Sequence, residues 1–305
     1  MEYLSMSTRN NLGVFFFIDT LSATEAGDFA RTVEALGYRA LWYPEAVGRN
    51  SMVTGAWLLA QTASLTVASG IANIFARDAQ ASASARLALN EMSGGRFLMG
   101  LGVSHAGLVE DVRGHSFQKP LQRMRDYVER MKSAIYQSPM PENNNELVIA
   151  ALGPKMTALA GELSDGAHSY NVTPEHTAKA REILGPEKKL YVEQKVLLET
   201  DPSKARAVAR ESLAPYLSMI NYQKNWARLG FTDSDWEQPS DKLLDAMVAW
   251  GDESALRKRI EEHFEAGADQ VCIQPLTDPG EVLRLLAPRG SASENDPLER
   301  GTIRR

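Results

Sequence analysis

Cysteine is almost missing from this sequence of 305 residues, with Cys272 its one representative. A single thiol excludes an intramolecular disulfide and any metal site built on several thiolates. It suits a reducing compartment, so a cytoplasmic location is expected. Histidine is scarce too. The five, at 105, 115, 168, 176 and 263, contain no i, i+4 pair of the kind that makes a helical zinc site, and no bound metal is expected. Positive charge is in deficit: the formal net charge is −6 and no basic run is dense, which argues against a nucleic-acid partner. No apolar run approaches membrane-spanning length, and the opening MEYLSMSTRN lacks the charged-then-apolar profile of a secretory signal, so no membrane partner is expected. What is present, 44% apolar and 24% charged residues, is the composition expected of an ordinary soluble globular protein.

One pattern recurs. A helix-like stretch ends in glycine and an apolar, strand-like run follows at once, in TVEALGYRALWYPE, LNEMSGGRFLMGLGV, LAGELSDGAHSYNV and EEHFEAGADQVCIQP. Glycine supplies the left-handed residue that closes a helix. The runs are nearly continuous in apolar character, as expected of parallel strands covered on both faces. Ser22 to Glu25 reads as a capping box, and Asp252 as the cap of a helix carrying Leu256, Ile260 and Phe264 on one face. Strands are predicted near 12–18, 39–44, 65–71, 96–102, 147–152, 166–171, 190–198 and 270–275. Eight strands alternating with helices favour an α/β fold of the (β/α)8 TIM-barrel type over a doubly wound sheet. Residues 201–250 are too long for one connecting helix and hold Tyr216, Tyr222, Trp226, Phe231, Trp236 and Trp250. They predict a helical insertion before the last strand, part of it buried and part roofing a pocket or meeting a partner subunit. Residues 1–288 are expected to form a single barrel domain, and the polar tail 289–305 to be disordered.

In such a barrel, chemistry sits at the carboxyl ends of the strands. The segments to inspect are therefore Tyr43 to Glu45, Gly70 to Asn73, Gly102 to His105, Ala151 to Lys155, Tyr170 to Thr173 and Gln274-Pro275. In GLGVSHAG, Gly100-x-Gly102 opens a dinucleotide fingerprint that fails at His105. Gly102-x-Ser104 opens a nucleophile elbow that fails at Ala106. In ALGPKM, Gly153, Pro154 and Lys155 start a helix whose free N–H groups and neighbouring lysine suit an anion; a plain loop with a solvated lysine stands beside that reading.

Taken together, ALWYPE, ASGIANIFARD, GRFLMGLGVSH, ALGPKM, DGAHSYNVTPEH and AGADQVCIQP resemble the luciferase-like oxidoreductases, in particular the branch that uses coenzyme F420. The resemblance implies a (β/α)8 barrel with an insertion. It implies a non-proline cis peptide at Gly70-Ile71, whose bulge backs the deazaflavin ring. Glu45 and Asn73 fall at polar cofactor positions, Val103 and Ser104 where backbone N–H groups reach the cofactor, and Gly153, Pro154 and Lys155 at its ribityl and phosphate part. His105 stands where a related sugar-phosphate dehydrogenase carries a glutamate, which speaks against a sugar-phosphate substrate. His105 is the first candidate to move a proton, because an unperturbed imidazole titrates near neutrality, and Glu45 is the second. Tyr170, Tyr191, Gln194 and Gln274 are candidates for lining the pocket. The implied activity is hydride exchange between F420 and a small organic substrate, by a homodimer. The alternative is an FMN-dependent monooxygenase supplied with reduced flavin by a partner reductase.

Overall fold

Residues 11–288 are described by the computed structural model of the chain, and the tail for which disorder is expected lies outside them. The strands are β1 (Leu12–Phe15), β2 (Ala40–Tyr43), β3 (Thr66–Ser69), β4 (Ala72–Asn73), β5 (Phe97–Gly102), β6 (Leu147–Ala150), β7 (Gly166–Ser169), β8 (Lys189–Leu198), β9 (Val248–Gly251) and β10 (Gln270–Pro275). Every pairing is parallel, in the order β10-β1-β2-β3-β5-β6-β7-β8, and β8 pairs back onto β10 to close the ring. The eight predicted strands are the eight staves of this (β/α)8 barrel. Two short strands are additional: β4 resumes beside β5 after a break in β3, and β9 pairs with Lys195 to Leu198 of β8.

The barrel interior is filled by Phe15, Ala40, Trp42, Ala68, Leu98, Val148, Tyr191 and Cys272, all buried together. The neighbours Val14, Leu41, Val67, Phe97, Ile149 and Val192 face outward into the helical shell. Both faces are apolar because both are covered, which is why the runs do not alternate. Each fully buried Leu, Val or Phe contributes roughly 1.5–3 kcal/mol relative to exposure. Tyr191, expected near the pocket, belongs to this interior.

The helix signals hold. Ser22 and Glu25 exchange the two bonds of a capping box, and Asp252 accepts from the Ala255 N–H. Gly37, Gly94 and Gly267 have positive φ at the helix ends. Gly166 differs. The preceding helix already ends at Leu163, and Gly166 lies inside β7, where an added Cβ would stand 2.0 Å from the Lys189 carbonyl oxygen. Its lack of a side chain serves the close approach of β8, not a helix stop. Strands β1, β3 and β7 are shorter than predicted: a 3-10 turn begins at Ile18, the chain breaks at Gly70, and Asn171 turns to φ 55°.

Between β8 and β9 stand helices Pro202–Leu213, Ile220–Arg228, Asp233–Glu237 and Asp241–Met247. They enclose a second apolar cluster that includes Leu213, Tyr222, Trp226, Phe231, Trp236 and Leu244. Most of the insertion's aromatic residues are thus consumed by its own packing. Among the described residues no helix is long and apolar enough to cross a membrane.

Candidate active site

The six strand-end segments come together at one rim, because all staves run in the same direction. The rim is shaped first at Gly70. The Gly70–Ile71 peptide is cis, the Gly70 N–H donates to the Tyr43 carbonyl at 2.7 Å, and the Glu45 N–H donates to the Ile71 carbonyl at 3.3 Å. A Cβ at Gly70 would meet the Phe15 ring at 2.8 Å, so only glycine fits above the stacked Phe15, Trp42 and His168 rings. The Ile71 side chain leans over β5. A Cβ at Gly102 would lie 2.4 Å from Ile71 Cδ1, and one at Gly100 would lie 2.2 Å from the Ser69 carbonyl oxygen. The GLG sequence of β5 therefore exists to admit this bulge.

Glu45 is buried beneath it. Its carboxylate accepts the N–H of Ser51 at 3.1 Å and of Asn73 at 2.8 Å, and pairs with the Arg77 guanidinium. The side chain thus ties β2 to the bulge and to the helix that starts at Ser51. With these three donors on it, Glu45 has the role of a strut; the proton-moving role expected as second choice finds no support in this geometry. Asn73 is completely buried. Its Oδ1 accepts from the Phe75 N–H, while its Nδ2 has no partner among the described residues.

After β5, Val103 packs against the main core, Ser104 takes φ 59°, and His105 is half-buried. Burial holds the His105 imidazole below its ordinary pKa, opposed by a hydrogen bond with Asn221, and its Nδ1 is buried without a hydrogen-bond partner among the described residues. Its ring stands 5.8 Å from that of Tyr222 in the insertion. After β6, Gly153 caps helix Pro154–Leu163 with Pro154 and Lys155 exposed in its first turn. The insertion reaches this point as well: Arg228 donates to the Leu152 carbonyl at 3.4 Å, and a Cβ at Gly153 would meet its Nη2 at 3.6 Å. Helix Ile220–Arg228 thus roofs the rim between the ends of β5 and β6.

The other histidines are structural or remote. His168 stacks on Trp42, and burial drives it to a pKa of about 4. His176 bonds the Leu152 carbonyl and His263 bonds Thr177 and Gln194, with pKa values lowered by burial to about 4 and about 3. Gln194 is spent on His263, the Lys195 carbonyl and the Met247 carbonyl, so it does not line the pocket. His115 is exposed.

In the remaining sector the strand-end reading reached Tyr170, Asn171 and Gln274 but missed the charged pair on β8. Glu193 and Lys195 of β8 are each 1% exposed and form an ion pair at 3.3 Å. Burial pushes Glu193 up and Lys195 down from their ordinary pKa values, and their attraction opposes both shifts. Lys195 also donates to Asn171 Oδ1 and lies 4.0 Å from the centre of the Tyr170 ring. Tyr170 donates to Gln274 at 3.0 Å and stands 2.9 Å from the Tyr216 hydroxyl, which joins the insertion to the barrel. The available signal was Glu-x-Lys inside an apolar strand, two charges that alternation places on one face.

Against known proteins, the luciferase-like monooxygenase family model matches residues 11–270. The chain belongs to that family. A Mycobacterium tuberculosis protein named as a coenzyme F420-dependent oxidoreductase is 23% identical, over 81% of this chain and 89% of its own length. An F420-dependent secondary alcohol dehydrogenase in complex with an F420-acetone adduct superposes with a TM-score of 0.74 at 16% identity, covering 90% of this chain and 96% of that one. The FMN-bound oxygenating constituent of 3,6-diketocamphane monooxygenase from Pseudomonas putida superposes with a TM-score of 0.67 at 15% identity, covering 91% of this chain and 96% of that one.

Proposed function

We propose that the protein is an oxidoreductase that exchanges hydride between coenzyme F420 and a small, uncharged organic substrate. The observation that carries this reading is the rim formed by Ile71 over Gly102, with buried polar atoms beside it that have no partner among the described residues, Asn73 Nδ2 and His105 Nδ1 among them. Unpartnered buried polar atoms are rare in a folded chain and suit a bound group that completes them. The residues fit a flat ring with a polar, anionic tail: Ile71 offers an apolar face, Asn73 a donor, and Ser104 a hydroxyl. Gly153, Pro154 and Lys155 with Arg228 offer N–H groups and positive charge to the tail. When bound, a deazaflavin supplies a carbon centre that accepts or delivers hydride.

The chain's own part is orientation and the balancing proton. His105 is held neutral, so its ring takes a proton when an alcohol is oxidised and returns it in the reverse direction. Glu193 and Lys195 cancel each other, and burial keeps the Tyr170, Tyr216 and Tyr222 phenols protonated. This wall presents no net charge, which supports a neutral substrate. The FMN-dependent monooxygenase reading rests on the FMN-bound relative and shares the same rim. Titration of the purified protein with F420 and with FMN separates the two: micromolar F420 binding is expected, and FMN binding without F420 binding overturns the reading. The proposal includes a cytoplasmic homodimer, which the exposed apolar side chains Val47, Val53 and Trp57 and the buried free Cys272 support. Sedimentation at two protein concentrations tests the dimer.

A further inference from the structure

Asn171 follows β7 directly and is 1% exposed. Three of its polar groups have fixed partners or a fixed lack of them. Its N–H donates to Glu193 Oε2 at 3.0 Å, its Oδ1 accepts from the Lys195 ammonium, and its Nδ2 has no partner among the described residues. An amide normally can turn over and exchange its oxygen and nitrogen. Here the ammonium removes that freedom, since NH2 facing Lys195 would set donor against donor. Lys195 in turn spends its donors on Asn171, on Glu193 and on the face of Tyr170. Lys195 has no donor left for a ligand, and each Glu193 oxygen is already engaged; what the pair does is aim one NH2 group. Asn171 also holds φ 55°, a conformation that asparagine tolerates better than most residues, which keeps the side chain at the rim instead of continuing the strand.

We propose that Asn171 is a substrate-binding residue, whose side-chain NH2, aimed by Glu193 and Lys195 as positioning residues, donates to the carbonyl or hydroxyl oxygen of the substrate. This deepens the hydride-transfer reading and rests on it. A donor fixed before the substrate arrives selects compounds with an acceptor oxygen over hydrocarbons of the same shape, because a ligand without one leaves the NH2 buried and unpaired.

Acetone, the smallest ketone, is the probe. Protein labelled with 15N at asparagine is first titrated with F420, then with acetone, and the Asn171 amide is assigned by its disappearance in Asn171→Gly, a change that keeps the left-handed backbone accessible. Acetone is expected to shift the Asn171 NH2 resonances. In Asn171→Gly, acetone should bind about ten-fold more weakly, the size of one hydrogen bond at about 1.4 kcal/mol, with F420 affinity within about two-fold of the parent. The double variant Glu193→Gln/Lys195→Met removes both charges together and avoids a buried unpaired ion. It should weaken acetone by the same factor, and adding Asn171→Gly to it should cost nothing further. An Asn171 amide that ignores acetone, equal acetone affinity in Asn171→Gly, additive losses in the triple variant, or a fall in F420 affinity in place of acetone affinity each overturns the assignment. Failure of the wider reading is visible separately, in the first titration, as wild-type protein that takes FMN and not F420.

Discussion

The Glu45 carboxylate, 3% exposed, and the Arg77 guanidinium, 8% exposed, hold each other inside the protein while two backbone N–H groups share the carboxylate. Removing one partner leaves the other charged and dry, so Arg77→Met should cost about 3–5 kcal/mol, read as a lower urea midpoint. At Gly102 the effect is steric. Alanine there forces Ile71 aside and should lower stability by about 1–3 kcal/mol while weakening cofactor binding in the same titration; unchanged binding would detach Ile71 from the site. His105 is a chemical residue in this reading, and its replacement by glutamine should lower turnover by roughly 10²- to 10⁴-fold with cofactor affinity retained. Because burial depresses its pKa, the acid limb of the alcohol-oxidation profile should fall below pH 6.5 and vanish in the variant.

Among the elements, the insertion has the clearest individual behaviour. Trp226 is fully buried in the second cluster, between Tyr222 and Trp236, and not in the main barrel core. Trp226→Ala should therefore cost about 3–5 kcal/mol, felt first in the helices from 202 to 247. Hydrogen exchange should show these helices opening before strands β5 to β8; uniform acceleration across the barrel would contradict the separation. Since Tyr222 and Arg228 of the same insertion face His105 and Gly153, activity should be lost at temperatures where the staves are still protected.

For the molecule as a whole, acid sensitivity is set by the buried histidines. The folded-state values of His168 and His176 are about 4 and that of His263 about 3, all below the ordinary imidazole value near 6.5. Between these limits the unfolded chain takes up protons that the folded chain refuses. Their stabilising effect is complete above about pH 6.5 and is lost as pH falls toward 4, and toward 3 for His263, with each site contributing up to roughly 3–5 kcal/mol. Urea midpoints at pH 7.5 and pH 5 should differ accordingly, and His263→Gln, which keeps a polar amide beside Thr177, should flatten the difference.

How much of this was legible in the sequence depends on the range of the interaction. Helix caps, glycine stops and continuous apolar runs are local, so the staves of the barrel and the segments at its rim could be read in order along the chain, whereas the cis bulge at Gly70 was implied only by the family resemblance. The short β4 and β9, the role of Gly166 and the strut role of Glu45 could not, because each depends on a neighbour distant in sequence, such as the Lys189 carbonyl against Gly166 or Arg77 against Glu45. The Glu193, Lys195 and Asn171 cluster is the extreme case. Single letters record two charges and an amide, and only closure of β8 beside β7 converts them into one satisfied ion pair and one unsatisfied donor. The sequence by itself determined which elements form, through local dihedral preference and hydrophobic period. Tertiary structure alone decided which buried polar atoms keep a free valence, because that depends on distances between strands that no spacing along the chain encodes.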